Sequence, residues 1–247
     1  MVMAMGPTAT PNRADAHTGV SLPAGQRAIC VLAGLLAIVL ILSGSSAFNG
    51  ALQGLTVGAV LDDLGRDETV APSRVDAALQ SLAQDDRQGA VALKQRGYLT
   101  MLSALSGERD SAAVADDLAN ARRWLADGLT RQPSDPFGWL WLTQAEVLSR
   151  GFTPAAVGAY VNAQRQAQYF GRQTLAQVDY GLLLWPLLTN DTKAVLLERT
   201  RAMAMADPRG IARVAARRGP AGIERIRRLL ADEPRALRRF ERYLENG

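Results

Sequence analysis

ARRWLADGLTRQPSDPFGWLWLTQAEVLSRGFTPAAVGAY, residues 121–160, is the stretch whose reading decides the fold. Ala121, Leu125 and Leu129 continue a stripe begun by Val114 and Leu118, at the spacing of one face of an α-helix. The stripe stops before Pro133. A new helix is predicted from Pro136, where proline suits a first turn because its missing N–H has no partner to lose. Gly151 then ends that helix at Arg150, and Thr153-Pro154 caps and opens the next. Helix, short turn, helix is the rhythm.

The same rhythm extends in both directions. Ser73 and Asp76 stand at capping-box-like spacing ahead of Ala77, Leu79 and Leu82. Helical periodicity continues over 87–105, and Ser111 is read as the cap of the helix running to Arg131. Later helices are predicted over 173–188, 191–206, 208–218, 220–231 and 234–245. No segment alternates with period two long enough for a strand. Abundant alanine, leucine and arginine with few β-branched residues agree with an all-α chain.

Within this rhythm Ala121, Leu125, Gly128 and Pro133 have the spacing of the second helix of a tetratricopeptide repeat. Trp139 and Leu142 follow as in the next repeat's first helix, and Ala156 and Tyr160 match the following second helix displaced by one residue. Thr143 stands where a small residue is usual. The similarity covers one and a half repeats and implies antiparallel helix pairs stacked as an α-solenoid. More broadly, the chain resembles small anchored proteins encoded beside bacterial exopolysaccharide and lipopolysaccharide biosynthesis genes. That likeness rests on an N-terminal anchor, Pro133-Ser134-Asp135-Pro136 with Trp139 and Leu142, Leu184-Trp185-Pro186-Leu187-Leu188, Asp207-Pro208, and Asp232-Glu233-Pro234. It implies envelope polysaccharide assembly or export as the setting, and no reaction.

The anchor is read from residues 28–48. Between Arg27 and Asp62 the chain has no charged residue, and 28–42 is apolar apart from Cys30. Twenty-one residues make about 31 Å of helix, enough to cross a hydrocarbon core. A signal peptide cleaved after Ala47 is the rival, since Ser45-Ser46-Ala47 has a small-x-small form. The long stretch before the apolar core favours a retained anchor. Arg13 and Arg27 precede the span while Asp62 and Asp63 follow it, so the N-terminus is expected in the cytoplasm of a bacterial inner membrane. The organisation expected is a tail at 1–27, the span at 28–48, a glycine-rich neck at 49–72 and an exported helical domain at 73–247. Ser46, Gly50, Gly54 and Gly58 recur every four residues, either as part of that neck or as a stripe for helix association in lipid.

One cysteine, Cys30, and one histidine, His17, leave no disulfide, zinc site or Ser–His–Asp triad for the exported part. No Gly-rich phosphate loop is present either. The adjacent acids Asp62-Asp63, Asp85-Asp86 and Asp116-Asp117 read as solvated faces. Glu146, on a mostly apolar helix, reads first as a polar contact on the repeat's concave face. It is also the one candidate acid for a glycan-cleaving site, which requires a second carboxylate within about 5–10 Å. Trp139 and Trp141 cannot share a helical face, so Trp139 is expected in the core and Trp141 partly exposed.

Charge is uneven. From Arg199 onward there are 13 arginines against six acids, a net of +7 in a chain of net charge +4. The arginines of this end, Arg217-Arg218, Arg225, Arg227-Arg228, Arg235, Arg238-Arg239 and Arg242, read first as solvated helix faces, and next, with Arg225, Arg227 and Arg228 foremost, as a surface for anionic lipid or an acidic glycan. Nucleic acid is not expected as a partner unless the topology is inverted. The sequence thus points to a non-catalytic, membrane-anchored scaffold without cofactor or metal, whose partners are envelope proteins and whose anchor can self-associate. Its rivals are a glycan-acting enzyme using Glu146 and a membrane-attached nucleic-acid binder.

Overall fold

The computed structural model describes residues 57–63, 70–83, 89–106, 110–167 and 173–245. The chain divides into Met1–Asn49 and Gly50–Gly247, and every described residue belongs to the second unit. The described residues are helical, with no strand among them. Among them no helix is long and apolar enough to cross a membrane. The span read at 28–48, the tail at 1–27, Cys30, Ser46, Gly50 and Gly54 all lie outside them.

Residues 57–63 form a helical stretch within the segment read as the neck. Val57 and Val60 are buried there against Val75, Ala78 and Leu99. Gly58 therefore sits in a packed helix, with open space where a side chain would be.

Ten α-helices follow: α1 (Pro72–Ala83), α2 (Ala90–Ser106), α3 (Ser111–Arg131), α4 (Pro136–Arg150), α5 (Pro154–Gln166), α6 (Gln173–Leu184), α7 (Asn190–Ala206), α8 (Pro208–Arg217), α9 (Gly219–Leu229) and α10 (Pro234–Glu245). A 3₁₀ turn, Trp185–Leu187, separates α6 from α7 because Pro186 cannot continue an α-helix. Several starts are set by side-chain caps. Asp135, Thr153, Thr189 and Asp207 each accept a backbone N–H in the first turn of α4, α5, α7 and α8. Two caps differ from the sequence reading. Asp110, not Ser111, caps α3, and Asp76 accepts from Ser103 on α2 instead of closing a capping box.

Helices pack against their neighbours in sequence, among them the pairs α2 with α3, α4 with α5 and α6 with α7. Close approach at small residues sets the first pair. A side chain on Gly97 would meet the Ala121 carbonyl oxygen and Leu125 Cγ, both at 2.7 Å, and one on Gly128 would meet the Ala90 carbonyl oxygen at 2.9 Å. The core forms three hydrophobic clusters along the chain. One joins 57–63, α1 and α2, one joins α2 through α5, and the largest runs from α5 to Phe240 of α10. Helices α8, α9 and α10 close the end, burying Ile211, Ile226 and Phe240 beneath outer faces rich in arginine.

Candidate functional site

The first helices of the three pairs, α2, α4 and α6, line one face, with α4 touching both of the others. Along it runs a cavity of about 490 Å³ whose walls include Tyr98, Phe137, Trp141 and Tyr180. Tyr98 and Trp141 stack with ring centroids 4.4 Å apart and planes 13° from parallel. Phe137 lies beside Trp141, its ring at 6.5 Å and 43° from it, and is 41% exposed. Offset stacking lets the rings hold one another's position while keeping outward faces for a ligand. Gln144 and Gln173 supply amide donors and acceptors, and no basic side chain borders the cavity.

Helical spacing explains the assembly. Phe137, Trp141 and Gln144 lie at intervals of four and three, so they share a face of α4. Three ion pairs, at two acids, fix the neighbouring helices. Lys94 of α2 is almost wholly buried, passing Gly128 and Gly138 to reach Gln132 and Asp135, the residue that also caps α4. Asp179 of α6, beside Tyr180, is buried against Arg218 at 2.6 Å and Arg217 at 3.5 Å. Burial raises the Tyr98 phenol above its ordinary value, and burial followed by the Asp179 charge raises that of Tyr180. Both hydroxyls therefore remain protonated donors at neutral pH.

Trp141 thus lies in the groove, half-buried. Trp139 is half-buried on another face of α4, packed against the α2–α5 cluster with its indole N–H donating to the Pro133 carbonyl at 2.7 Å. Glu146 does not meet Trp141. It is buried against α3, with one carboxylate oxygen 3.5 Å from Arg122 Nη1. Its other oxygen and Arg122 Nε are buried without hydrogen-bond partners. Both residues border a separate cavity of about 370 Å³ together with Asp127.

The three arginines singled out from the sequence are engaged within the fold. Arg225 donates to the Leu182 carbonyl at 3.1 Å and lies 5.3 Å from the Trp185 ring centre. Arg227 makes two bonds to Glu241, at 2.8 and 3.1 Å, and Arg228 lies 3.4 Å from Glu224. Arg227's hydrogen bond holds the Glu241 carboxyl below its usual range.

A polar network also lies where the sequence offered no signal. Buried Arg199 bonds Gln177 and the carbonyls of Gln164 and Ala167, both at 2.9 Å. It satisfies carbonyls at the C-terminal end of α5, where a cation also suits the helix dipole. Among the described residues no group of three or more His, Cys, Asp or Glu could hold a metal ion. Comparison with protein-family models, with curated proteins and with solved structures finds no match.

Proposed function

We propose that the chain is a non-catalytic, membrane-tethered scaffold whose tetratricopeptide-like helix pairs hold an extended segment of an envelope partner, in polysaccharide assembly or export. The observation that carries this is the groove built from the first helices of three successive pairs, with Tyr98, Trp141, Phe137 and Tyr180 in its wall. Aromatic-lined grooves suit extended chains because rings offer apolar area at low entropic cost, while amides read the backbone. The close contacts at Gly97, Ala121 and Gly128 support the repeat-like reading. The tether rests on the uncharged stretch between Arg27 and Asp62. The polysaccharide setting rests on the chain's resemblance to proteins encoded at polysaccharide biosynthesis loci. A tether raises the groove's effective concentration near membrane partners without adding contacts.

A second reading has one observation in its favour: Glu146 and Asp127 border the same cavity. Against it, Glu146 is buried and already faces Arg122. Complementation of a gene deletion separates the two. The scaffold reading expects Trp141→Ala to lose function with its fold intact, and Glu146→Gln and Asp127→Asn to keep it. Loss in the carboxylate variants alone, with an unchanged fold, would put the enzyme first.

A further inference from the structure

The last helix carries a second surface. On α10, Arg235, Arg238, Arg239 and Arg242 fall at i, i+3, i+4 and i+7, a single stripe on the outer face. All four are exposed, and the opposite face buries Ala236 and Phe240 in the core. Glu245 falls at i+3 from Arg242 and offsets that end of the stripe, leaving Arg235, Arg238 and Arg239 as its main positive charge. Glu241 lies off it and is bound by Arg227. Arg239 donates to the Met205 carbonyl at 2.7 Å, which fixes the stripe beside the end of α7. Two large apolar side chains flank it in the open: Met205, 44% exposed, and Tyr243, 42% exposed.

We infer that this arginine stripe of α10 is a docking face for an anionic phospholipid surface. The inference goes beyond the partner groove. Charge complementarity selects an anionic surface, and the flanking residues select lipid among such surfaces. A tyrosine and a methionine beside a basic helix face match the membrane interface, where the apolar side chain enters the headgroup boundary and the guanidinium meets phosphate. Neither a soluble polyanion nor nucleic acid gives those apolar groups a place. Arginine suits phosphate because its planar fork donates two parallel bonds.

The test uses the full chain with Cys30→Ser and Glu245→Cys, labelled at the new thiol with a fluorophore. It is reconstituted in vesicles of phosphatidylcholine, or of phosphatidylcholine with about a quarter phosphatidylglycerol. Lipids spin-labelled at the headgroup quench a docked label. Quenching is expected in the anionic vesicles, falling to the neutral-vesicle level near 1 M salt, where the Debye length is about 3 Å. Each arginine near such a surface is worth about fivefold in the docked-to-free ratio. Arg235→Gln with Arg238→Gln, which keeps the Arg239–Met205 bond, should therefore lower that ratio about 25-fold with an unchanged melting temperature. Equal quenching on both vesicles, or no change in the double variant, overturns the inference. So does a label shielded by a single-stranded oligonucleotide or a polyuronate but not quenched by lipid. Carbonate extraction reads the tether separately. An extracted chain that still shows the contrast defeats the tether alone, and a retained chain without it defeats the stripe alone.

Discussion

Gly97 and Ala121 set how near α2 and α3 can come, and the consequence can be argued as a sign. Replacing a helical glycine by alanine ordinarily gains about 1 kcal/mol in an exposed helix. Here the added methyl would press on a backbone carbonyl and on Leu125 at 2.7 Å. Overpacking of that kind costs about 1–3 kcal/mol, so Gly97→Ala should be a net loss of about 1 kcal/mol in denaturant unfolding. A more stable variant would mean the helices are not this close. Trp139 argues the other way. A fully buried tryptophan costs about 3–5 kcal/mol when cut to alanine. Its ring is half-buried with one bond to Pro133, so Trp139→Ala should cost about 2 kcal/mol, and a loss near 5 would place the ring deep in the core.

Among the elements, α5 and α6 are joined by Tyr160, whose hydroxyl donates to the Gln177 carbonyl at 3.0 Å and accepts from Gln164 at 2.8 Å. Burial, more than any neighbouring charge, raises the Tyr160 phenol well above its ordinary value, as it does for Tyr180. In the unfolded chain the phenol titrates near pH 10. Above that pH the folded state holds more protons than the unfolded one, so stability falls as pH rises. The stabilisation is complete below about pH 10 and is lost progressively as pH rises toward the folded values. Tyrosinate absorbance should therefore show Tyr160 and Tyr180 ionising together with loss of helix above pH 10. Free titration of all phenols near pH 10 in a folded chain would contradict it.

Helix starts were the most legible elements, because proline and a capping oxygen act over a few residues: Pro136, Thr153-Pro154, Asp207-Pro208 and Pro234 all open helices. Trp141 was legible as a partly exposed residue. Its neighbours were not. Tyr98 and Tyr180 lie far from it in sequence, and only the pairing of helices brings them to α4. The first pair departs from a repeat of about 34 residues, because α2 and α3 are 17 and 21 residues long. Gly97 meets Ala121 across a longer hairpin than the repeat pattern presumes. The arginine-rich end was legible in composition, but the exposed stripe on α10 depends on which side chains the fold engages.

At the scale of the whole molecule, the proposed scaffold is a helical domain with an aromatic groove, held by a proposed tether at 28–48. A reporter active only outside the cytoplasm, fused after Gly247, should work if the span at 28–48 is the sole crossing. Activity only from a cytoplasmic reporter would reverse the orientation. The groove itself is tested most directly by site-specific photocrosslinking in intact membranes. A photoreactive residue at Gln144 should give one discrete adduct with an envelope protein. The same residue at exposed Asp116 on α3 should give none, and Trp141→Ala should abolish the Gln144 adduct in a chain that still folds. Identical patterns from both positions, or a Gln144 adduct indifferent to Trp141→Ala, would contradict the claim that the groove holds the partner.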